Sequence, residues 1–192
     1  MKAHFNFILC DAGMNRAALN AFQLCNHLEE RGYTVSVTAL GRGYEHAWFP
    51  LRARPRYVEP PPASRRAVKT RDGKGQPIDL SLHQAIDRLA TAIPSCDVNI
   101  AVHATAVHAA TESGRGEVWF WMQRHEALFL DQPHERLLVE SAMRLPSRLL
   151  ACSSRLAARC KSMDGARRDA REVHLLLPGI DPAFYRPGGP GE

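Results

Sequence analysis

The stretch that decides the fold is "HFNFILCDAGMNRAALNAFQLCNHLEERGYTVSVTAL", residues His4 to Leu40. It opens with a short apolar run at His4 to Cys10, which predicts a strand, and a turn follows. Next comes a helical pattern, in which apolar residues recur at i, i+3, i+4, i+7 and i+10: Ala18, Ala21, Phe22, Cys25 and Leu28. Gly32 ends this helix at the C′ position, and the alternating, β-branched segment Tyr33 to Leu40 predicts a second strand. The chain therefore begins as strand, helix, strand.

The alternation continues after a long interruption. Residues 41–77 are rich in proline and arginine, and they predict a loop region with one short strand at Arg56 to Glu59. Beyond it, the predicted strands are 97–102, 117–122, 148–152 and 172–177, and the predicted helices are 80–93, 105–112, 134–143 and 154–163. Strands that alternate with helices form right-handed crossovers. The sequence thus predicts an α/β, Rossmann-like doubly wound fold, with a mostly parallel sheet and helices on both faces.

Size and composition narrow the class of protein. The chain has 192 residues, of which 45% are hydrophobic, and this fits one domain with a substantial core. Its five cysteines are an odd number without a C-x-x-C pair, so we expect neither a disulfide framework nor a zinc cluster. No apolar run approaches the length of a membrane-spanning helix or a signal peptide. These features predict a cytoplasmic protein.

The net charge is +5, and the basic residues are concentrated in two segments, Arg52 to Lys74 and Arg144 to Arg171. Such segments attract phosphates of lipids, nucleotides or nucleic acids, although a merely solvated surface has the same composition. Neither segment is interleaved with stacking aromatic residues, so nucleic-acid binding is disfavoured. We expect the first segment to dock the domain peripherally on an anionic membrane, at its inner face.

In an open α/β sheet the ligand binds beyond the carboxyl ends of the strands. "DAGMNR", residues Asp11 to Arg16, follows the first strand and lacks the G-x-G-x-x-G spacing, so a nicotinamide or flavin enzyme is disfavoured. Gly13 lets backbone N–H groups approach a phosphate at the electropositive start of the helix. A tight turn that needs glycine is an equally good interpretation.

Two later strand ends carry further candidates. His103 directly follows the predicted strand 97–102. Two interpretations are open for it, a residue that binds a ligand and a buried core histidine. His108 follows five residues later, whereas a helical metal pair needs i, i+4, so zinc is disfavoured. The very apolar strand 117–122 opens into four polar residues, Gln123, Arg124, His125 and Glu126, and this is the strongest physical signal of a site. An ordinary surface loop remains the alternative there.

The last strand end to consider predicts a helix cap, and motifs of several common enzyme classes are absent from the sequence. After the strand 148–152, Ser153 or Ser154 is expected to cap the next helix. The sequence contains no G-x-S-x-G elbow, P-loop, H-E-x-x-H motif or paired-carboxylate pattern of a hydrolase. Hydrolase, nucleoside-triphosphatase and metalloprotease functions therefore lack support.

Five segments in order resemble the N-terminal half of a GT-B-fold retaining glycosyltransferase, of the group 1 or family 4 type that makes bacterial polysaccharides and glycolipids. The opening is similar to the family's Gly-Gly-x-x-Arg start, with Ala12 in place of the first glycine and with Gly13 and Arg16 matching. The other four segments are "DVNIAVH", "WFWMQRHEALF", "RLPSRLLACSSRLAARC" and "LLPGIDPAFYRP". In the last of these, Pro178 stands where the family usually has asparagine.

The resemblance implies an enzyme that transfers a hexosyl group from a nucleotide sugar, without a tightly bound cofactor or a metal. It places the loop of Gly13, Met14, Asn15 and Arg16 near the donor phosphates. It also implies sugar or acceptor contacts for His103, His125, Gln123, Arg124 and Glu126. No side chain is expected to be the nucleophile, because in this family the donor phosphate is thought to take the acceptor proton.

The resemblance also divides the chain. Residues 1–178 correspond to the acceptor-side N-terminal domain and 179–192 to the interdomain linker, while the donor-binding C-terminal domain is expected from a further domain or a partner subunit. Partners are then a nucleotide sugar and a glycan or lipid-linked acceptor, and the chain alone is expected to be inactive. The alternative is a non-catalytic Rossmann-like module that binds a glycan, a lipid phosphate or a protein.

Overall fold

A computed structural model of the chain describes residues 2–62, 65–68, 76–79, 81–124, 133–164 and 172–179. The strands and helices within these ranges are, in order, β1 His4–Leu9, α1 Arg16–Glu30, β2 Thr34–Leu40, β3 Pro55–Val58, β4 Arg65–Val68, β5 Gln76–Asp79, α2 Ser81–Ala92, β6 Val98–Ala101, α3 Ala104–Ser113, β7 Glu117–Met122, α4 Pro133–Ala142, β8 Arg148–Ala151, α5 Ser154–Asp164 and β9 Glu172–Leu175. The elements that the sequence predicts lie within two residues of their expected bounds.

Seven of the strands form one parallel sheet in the order β3-β2-β1-β6-β7-β8-β9. The chain winds outward from β1 to β3 and then returns to β6, on the other side of β1. Strand order therefore reverses between β1 and β6, and the crevice at the carboxyl ends of these two strands is the expected ligand position. The predicted Rossmann-like fold is confirmed.

The prediction for residues 41–77 was wrong in one respect. The expected short strand is present as β3, at the edge of the sheet, but two more strands follow: β4 pairs antiparallel with β5 in a separate two-stranded sheet. Pro77 lies inside β5, and this proline concealed the strand in the sequence. A strand of a two-stranded sheet has one unpaired edge, where proline is tolerated because its missing N–H is not needed.

The core consists of two apolar layers, one on each face of the sheet, because successive side chains of a strand point to opposite faces. Ile8 contributes to the layer that α2, α3, α4 and α5 cover. Its neighbours Phe7 and Leu9 contribute to the other layer, which α1 and the segment after β2 cover. Helices thus lie on both faces, as predicted, and of the helices within the described ranges four cover one face and one covers the other.

Helix α1 ends as the sequence predicts. Gly32 has a φ of +77°, which lies in the left-handed region that glycine adopts without strain. Its N–H donates to the carbonyl of Glu29 at 2.8 Å, and the N–H of Tyr33 donates to the carbonyl of Leu28 at 3.0 Å. This pair of bonds is a Schellman motif, and it turns the chain directly into β2.

A row of buried polar side chains crosses β2, β1 and β6 on the face of Ile8. The Asn6 amide donates to Asn99 Oδ1 at 2.9 Å, and Asn6 Oδ1 accepts from Ser36 Oγ at 3.0 Å and Thr38 Oγ1 at 3.1 Å. The Asn99 amide donates onward to the carbonyl of Arg115. Asn6, Thr38 and Asn99 are fully buried, so these bonds replace the water that their polar atoms lose on folding.

Among the helices that the structure describes, none is both long enough and apolar enough to cross a membrane. The basic segment 52–74 is described only in part, since residues 63, 64 and 69–75 and the side chains of 65–68 lie outside the described part of the chain. Its predicted membrane docking stays a prediction.

Candidate functional site

A cavity of about 550 Å³ lies at the carboxyl ends of β1, β6 and β7, where the strand order reverses. Its walls are formed by Asp11, Asn15, Arg16, Ala17, Val102, His103, Gln123 and Arg124. Five of these residues were predicted as site residues from the sequence, and they come from three separate strand ends. The topology thus brings together candidates that lie up to 109 residues apart in the sequence, from Asn15 to Arg124.

The turn after β1 is organised by the carboxylate of Asp11. Its Oδ1 accepts the N–H of Gly13 at 2.8 Å, and its Oδ2 accepts the side-chain amide of Asn15 at 3.1 Å. Asn15 is the N-cap of α1, because its Oδ1 accepts the N–H of Ala18 at 2.8 Å. The N–H of Gly13 is therefore already bonded within the turn, so it is not among the backbone N–H groups that Gly13 was predicted to bring near a phosphate.

The first residues of α1 supply the positive end of this site. The N–H groups of Arg16 and Ala17 begin the helix and have no intrahelical acceptor, and the helix dipole adds partial positive charge there. Arg16 is exposed and lines the cavity. Met14, also predicted for the phosphate loop, is 80% exposed and does not line the cavity. The part of the turn suited to an anion is thus Arg16 with Ala17.

His103 stands at the N-cap position of α3 but makes no side-chain cap bond. Its ring is largely buried at the cavity wall, and its Nδ1 is buried without a hydrogen-bond partner among the described residues. Burial lowers the pKa of His103 to about 4, with a further contribution from the positive charge of Arg124, while the carboxylate of Asp11 opposes the shift. The ring is therefore neutral at pH 7 and can both donate and accept a hydrogen bond.

This depressed pKa makes stability depend on pH. The imidazole has a pKa near 6.5 in an unfolded chain and about 4 in the fold, so between these values only the unfolded chain binds the proton. The contribution of the neutral His103 to stability is full above about pH 6.5 and is lost as the pH falls from 6.5 to 4, by up to about 3 kcal/mol at 1.36 kcal/mol per pH unit. Urea unfolding of the wild type and of His103→Asn between pH 4 and 7 checks this: the free energy of unfolding should fall more steeply toward acid in the wild type than in the variant, and parallel profiles would contradict it.

Gln123 links the end of β7 to α1. Its Oε1 accepts the side-chain amide of Asn20 at 2.7 Å, and its Nε2 donates to the carbonyl of Ala17 at 3.2 Å. The backbone carbonyl of Gln123 also accepts the thiol of Cys152 at 2.9 Å. An amide has two donor and two acceptor positions, so Gln123 retains one of each for a ligand while it holds the cavity wall.

The structure describes only some of the remaining candidates at the ends of β7 and β8. Arg124 is exposed and lines the cavity. His125 and Glu126 lie outside the described residues, so the structure does not test their predicted roles. Ser153 is the N-cap of α5, because its Oγ accepts the N–H of Leu156 at 3.2 Å, which confirms one of the two expected caps.

His108 has a structural role. Its Nε2 lies 3.0 Å from the carbonyl of Leu138 and 3.2 Å from Ser141 Oγ, so it joins α3 to α4. Within the described ranges, no three His, Cys, Asp or Glu side chains are grouped so that they could hold a metal ion.

Sequence reasoning missed three residues that line the site or bond to its walls. Asp11 was part of the quoted turn, but its role as the organiser of that turn follows only from the geometry. Asn20 lies within the apolar helix pattern and is buried, so its bond to Gln123 gave no local signal. The indole of Trp48, from the segment after β2, donates to the carbonyl of Ala12 at 3.0 Å. A contact across 36 residues has no signature in a single sequence.

A second cavity, of about 360 Å³, lies beside α1 and contains none of the residues predicted from the sequence. Its walls are formed by Asn20, Gln23, Leu24, Asn26, His27, Glu30, Phe49, Trp121 and Leu176 to Gly179. It is more apolar than the first, and it lies between α1 and the segment that follows β9 rather than at the ends of β1 and β6. We therefore take the cavity at the switch in strand order as the candidate site.

No protein-family model matches the sequence, and no curated protein is significantly similar to it. Solved structures are similar in fold. Anabaena Alr3699/HepE, solved with UDP and glucose, matches with a TM-score of 0.64 at 14% identity, over 95% of this chain and 46% of that one. An alpha-glucosyltransferase solved with UDP-glucose and DNA containing an abasic site matches with a TM-score of 0.57 at 10% identity, over 94% and 44%.

Arabidopsis thaliana UGT89C1 matches with a TM-score of 0.55 at 16% identity, over 96% of this chain and 53% of that one. The chain thus spans about half the length of the solved structures that it matches. At these identities the likeness establishes the fold, and it confirms the resemblance to GT-B glycosyltransferases at that level.

Proposed function

We propose that this chain forms the acceptor-side half of the cleft of a sugar-nucleotide-dependent glycosyltransferase. The observation that carries the proposal is the cavity at the switch in strand order, where Arg16, His103 and Arg124 converge from three strand ends. It occurs in a fold shared with UDP-binding glycosyltransferases. A cationic wall beside a neutral imidazole suits a ligand that has both phosphate and hydroxyl groups.

The donor phosphates would bind at the start of α1. Arg16 and the N–H groups of the first helical turn provide the positive charge, and Arg124 adds a second guanidinium on the facing wall. Two guanidinium groups can stabilise a departing nucleoside diphosphate, which is why we expect metal-independent transfer. The carboxylate of Asp11 is held within the turn by two hydrogen bonds, and it positions α1 beside the phosphate.

His103 would contact a hydroxyl of the transferred sugar or of the acceptor. The ring is neutral and lines the cavity wall. A hydroxyl accepts and donates at once, and so does a neutral imidazole. Gln123 and Arg124, together with His125 and Glu126, would complete the acceptor side. The acceptor proton would pass to the donor phosphate, as expected for a retaining enzyme without a protein nucleophile.

A second Rossmann-like domain, in the same polypeptide or in a partner subunit, would supply the nucleotide-binding wall. Closure between two walls excludes water and fixes the reacting groups, and both effects contribute to catalysis. Residues 1–178 would thus be the N-terminal domain and 179–192 the linker. Polysaccharide or glycolipid synthesis at the cytoplasmic face of a bacterial membrane is the setting that we propose, with a glycan or lipid-linked acceptor.

The proposal is tested on the full-length protein with a panel of UDP-, GDP- and ADP-sugars and a glycan and lipid extract as acceptor. We expect release of nucleoside diphosphate that depends on acceptor, and a reduction of about tenfold or more in Arg16→Gln, because a hydrogen bond to a charged group contributes roughly 1.5–3 kcal/mol. Arg54→Gln is the control, since Arg54 is exposed and outside the cavity. Glycan or lipid-phosphate binding without turnover of any donor would favour the non-catalytic module instead.

A further inference from the structure

The segment between β2 and β3 is a well-anchored strap rather than a loose loop. We call residues 42–53 the strap. At its start the carboxylate of Glu45 accepts the N–H groups of Arg42, Gly43 and Tyr44, the last two at 2.9 and 3.0 Å. Next to it, the N–H of His46 donates to the hydroxyl of Tyr57, on β3, at 3.1 Å. These bonds fix one end of the strap to the edge of the sheet.

The far end of the strap is attached to α1. The Asn26 amide donates to the carbonyl of Pro50 at 3.0 Å, and Asn26 Oδ1 accepts the N–H of Arg52 at 3.0 Å. The guanidinium of Arg52 lies 2.8 Å from Glu30 Oε1 in an exposed ion pair. Asn26 thus satisfies one donor and one acceptor of the strap backbone. It attaches the strap to α1 at a point outside the candidate site.

Between these two attachments, Trp48 reaches the turn of the candidate site. Its indole N–H donates to the carbonyl of Ala12 at 3.0 Å, and its ring packs on Phe22 and Phe49 with centroids 5.7 Å apart in each case. Ala12 is fully buried, directly between Asp11 and Gly13. The indole therefore fixes the peptide plane between Ala12 and Gly13 from outside the turn.

The other bonds of the turn are local. Asp11, Gly13 and Asn15 bond to one another, and Asn15 caps α1. Within the part of the chain that the structure describes, Trp48 is the one side chain from beyond the turn and α1 that donates a hydrogen bond to residues 11–15. Without the Trp48 bond, residues 11–15 would be free to shift relative to the sheet as one unit, with their local hydrogen bonds intact.

We propose that Trp48 is a positioning residue for this site: it holds the turn at residues 11–15 so that the start of α1 and the Asp11 carboxylate keep their places in the cavity wall. Its effect on a donor rests on the proposed function, whereas its effect on the turn does not. The indole is itself held in place without Asn26, because the strap is bonded to Tyr57 of β3 and the Trp48 ring packs on Phe22 of α1. The specific prediction is that loss of the indole N–H loosens the turn and leaves the fold intact.

The test is Trp48→Phe in the full-length protein, because phenylalanine keeps an aromatic ring against Phe22 and Phe49 but cannot donate the bond. Amide exchange at Gly13 and Ala18 should become roughly two- to tenfold faster, the change expected from losing one hydrogen bond. Asn26→Ala is the matched control: it releases the strap from α1 without touching Ala12, and exchange at Gly13 should stay unchanged.

The outcomes separate this inference from the proposed function. Unchanged exchange at Gly13 and Ala18 in Trp48→Phe would overturn the inference, whether or not the protein transfers sugar. In an active enzyme, Trp48→Phe should raise the KM for the nucleotide sugar several-fold with kcat nearly unchanged, and a fall in kcat alone would also count against it. If Trp48→Phe does not fold, hydrogen exchange in the wild type provides the test. The Trp48 indole N–H should then exchange more slowly than a free indole.

Discussion

Replacing His103 with alanine should lower kcat/KM for sugar transfer by about a hundredfold in the complete enzyme. The ring is the neutral hydrogen-bonding group at the junction of β6 with the cavity, and its Nδ1 has no partner within the described residues. Removing one preorganised donor to a reacting group typically costs 10²–10³ in rate. Steady-state kinetics at saturating donor, with acceptor varied, measures the effect.

Two further variants make this result specific. His103→Gln keeps a polar group near the position of the ring edge and should recover part of the loss. His83→Ala removes an exposed histidine from α2, on the face away from α1, and should leave transfer unchanged. Between pH 6 and 8 the rate should show no step from His103, because its pKa is about 4. Wild-type kcat/KM in His103→Ala would remove this residue from the site.

Replacing Asn6 with leucine should lower the free energy of unfolding by about 3–5 kcal/mol. The side chain is fully buried, and it bonds to Ser36, Thr38 and Asn99. A leucine of similar size leaves Asn99 Oδ1 and the Thr38 hydroxyl without the partner that Asn6 provides, whereas Ser36 Oγ keeps its contact with His4 Nε2 at 2.9 Å. Each buried, unsatisfied polar group costs roughly 1–3 kcal/mol. Domains are stable by only about 5–15 kcal/mol, so urea denaturation will detect a loss of this size directly.

A double-mutant cycle shows whether the polar row accounts for the loss. Asn6→Leu together with Asn99→Leu should cost less than the sum of the two single changes, because neither partner then leaves the other unsatisfied. Ser36→Ala removes one outer contact and should cost about 1 kcal/mol. A loss below about 1 kcal/mol in Asn6→Leu, or strictly additive effects, would show that the row is not a coupled network.

The sheet could be predicted from the sequence because its signals are local. The strand, helix, strand pattern of residues 4–40 depends on side-chain periodicity and on Gly32, and the structure has both as expected. The strands β4 and β5 could not be predicted in the same way. Pro77 and the surrounding charges oppose a strand, and only the pairing of the two segments makes one.

The candidate site could be predicted in outline, since the carboxyl ends of parallel strands must share one edge. His103, Gln123 and Arg124 meet Asn15 and Arg16 in one cavity, as this rule requires. The hydrogen bonds within it could not be predicted. The Asp11 carboxylate accepts the N–H of Gly13, and the Asn20 amide donates to Gln123 Oε1. Local geometry decides which of several polar groups become partners.

The long-range contacts were the least accessible to sequence reasoning. Trp48 lies in a segment that composition marks only as loop, and its bond to Ala12 depends on how the strap returns across α1. Such contacts arise from the assembled fold and have no periodic signature in the chain. They matter here because they fix the turn on which the proposed donor contact depends.

The most direct test of the central claim is sugar transfer by residues 1–192 alone and after addition of the second α/β domain, from the same polypeptide or from a partner. If this chain forms the acceptor side of a two-domain cleft, transfer of labelled sugar from a nucleotide sugar to acceptor should be undetectable with the chain alone. Addition of the second domain should restore it by several orders of magnitude. Robust transfer by residues 1–192 alone would contradict the account.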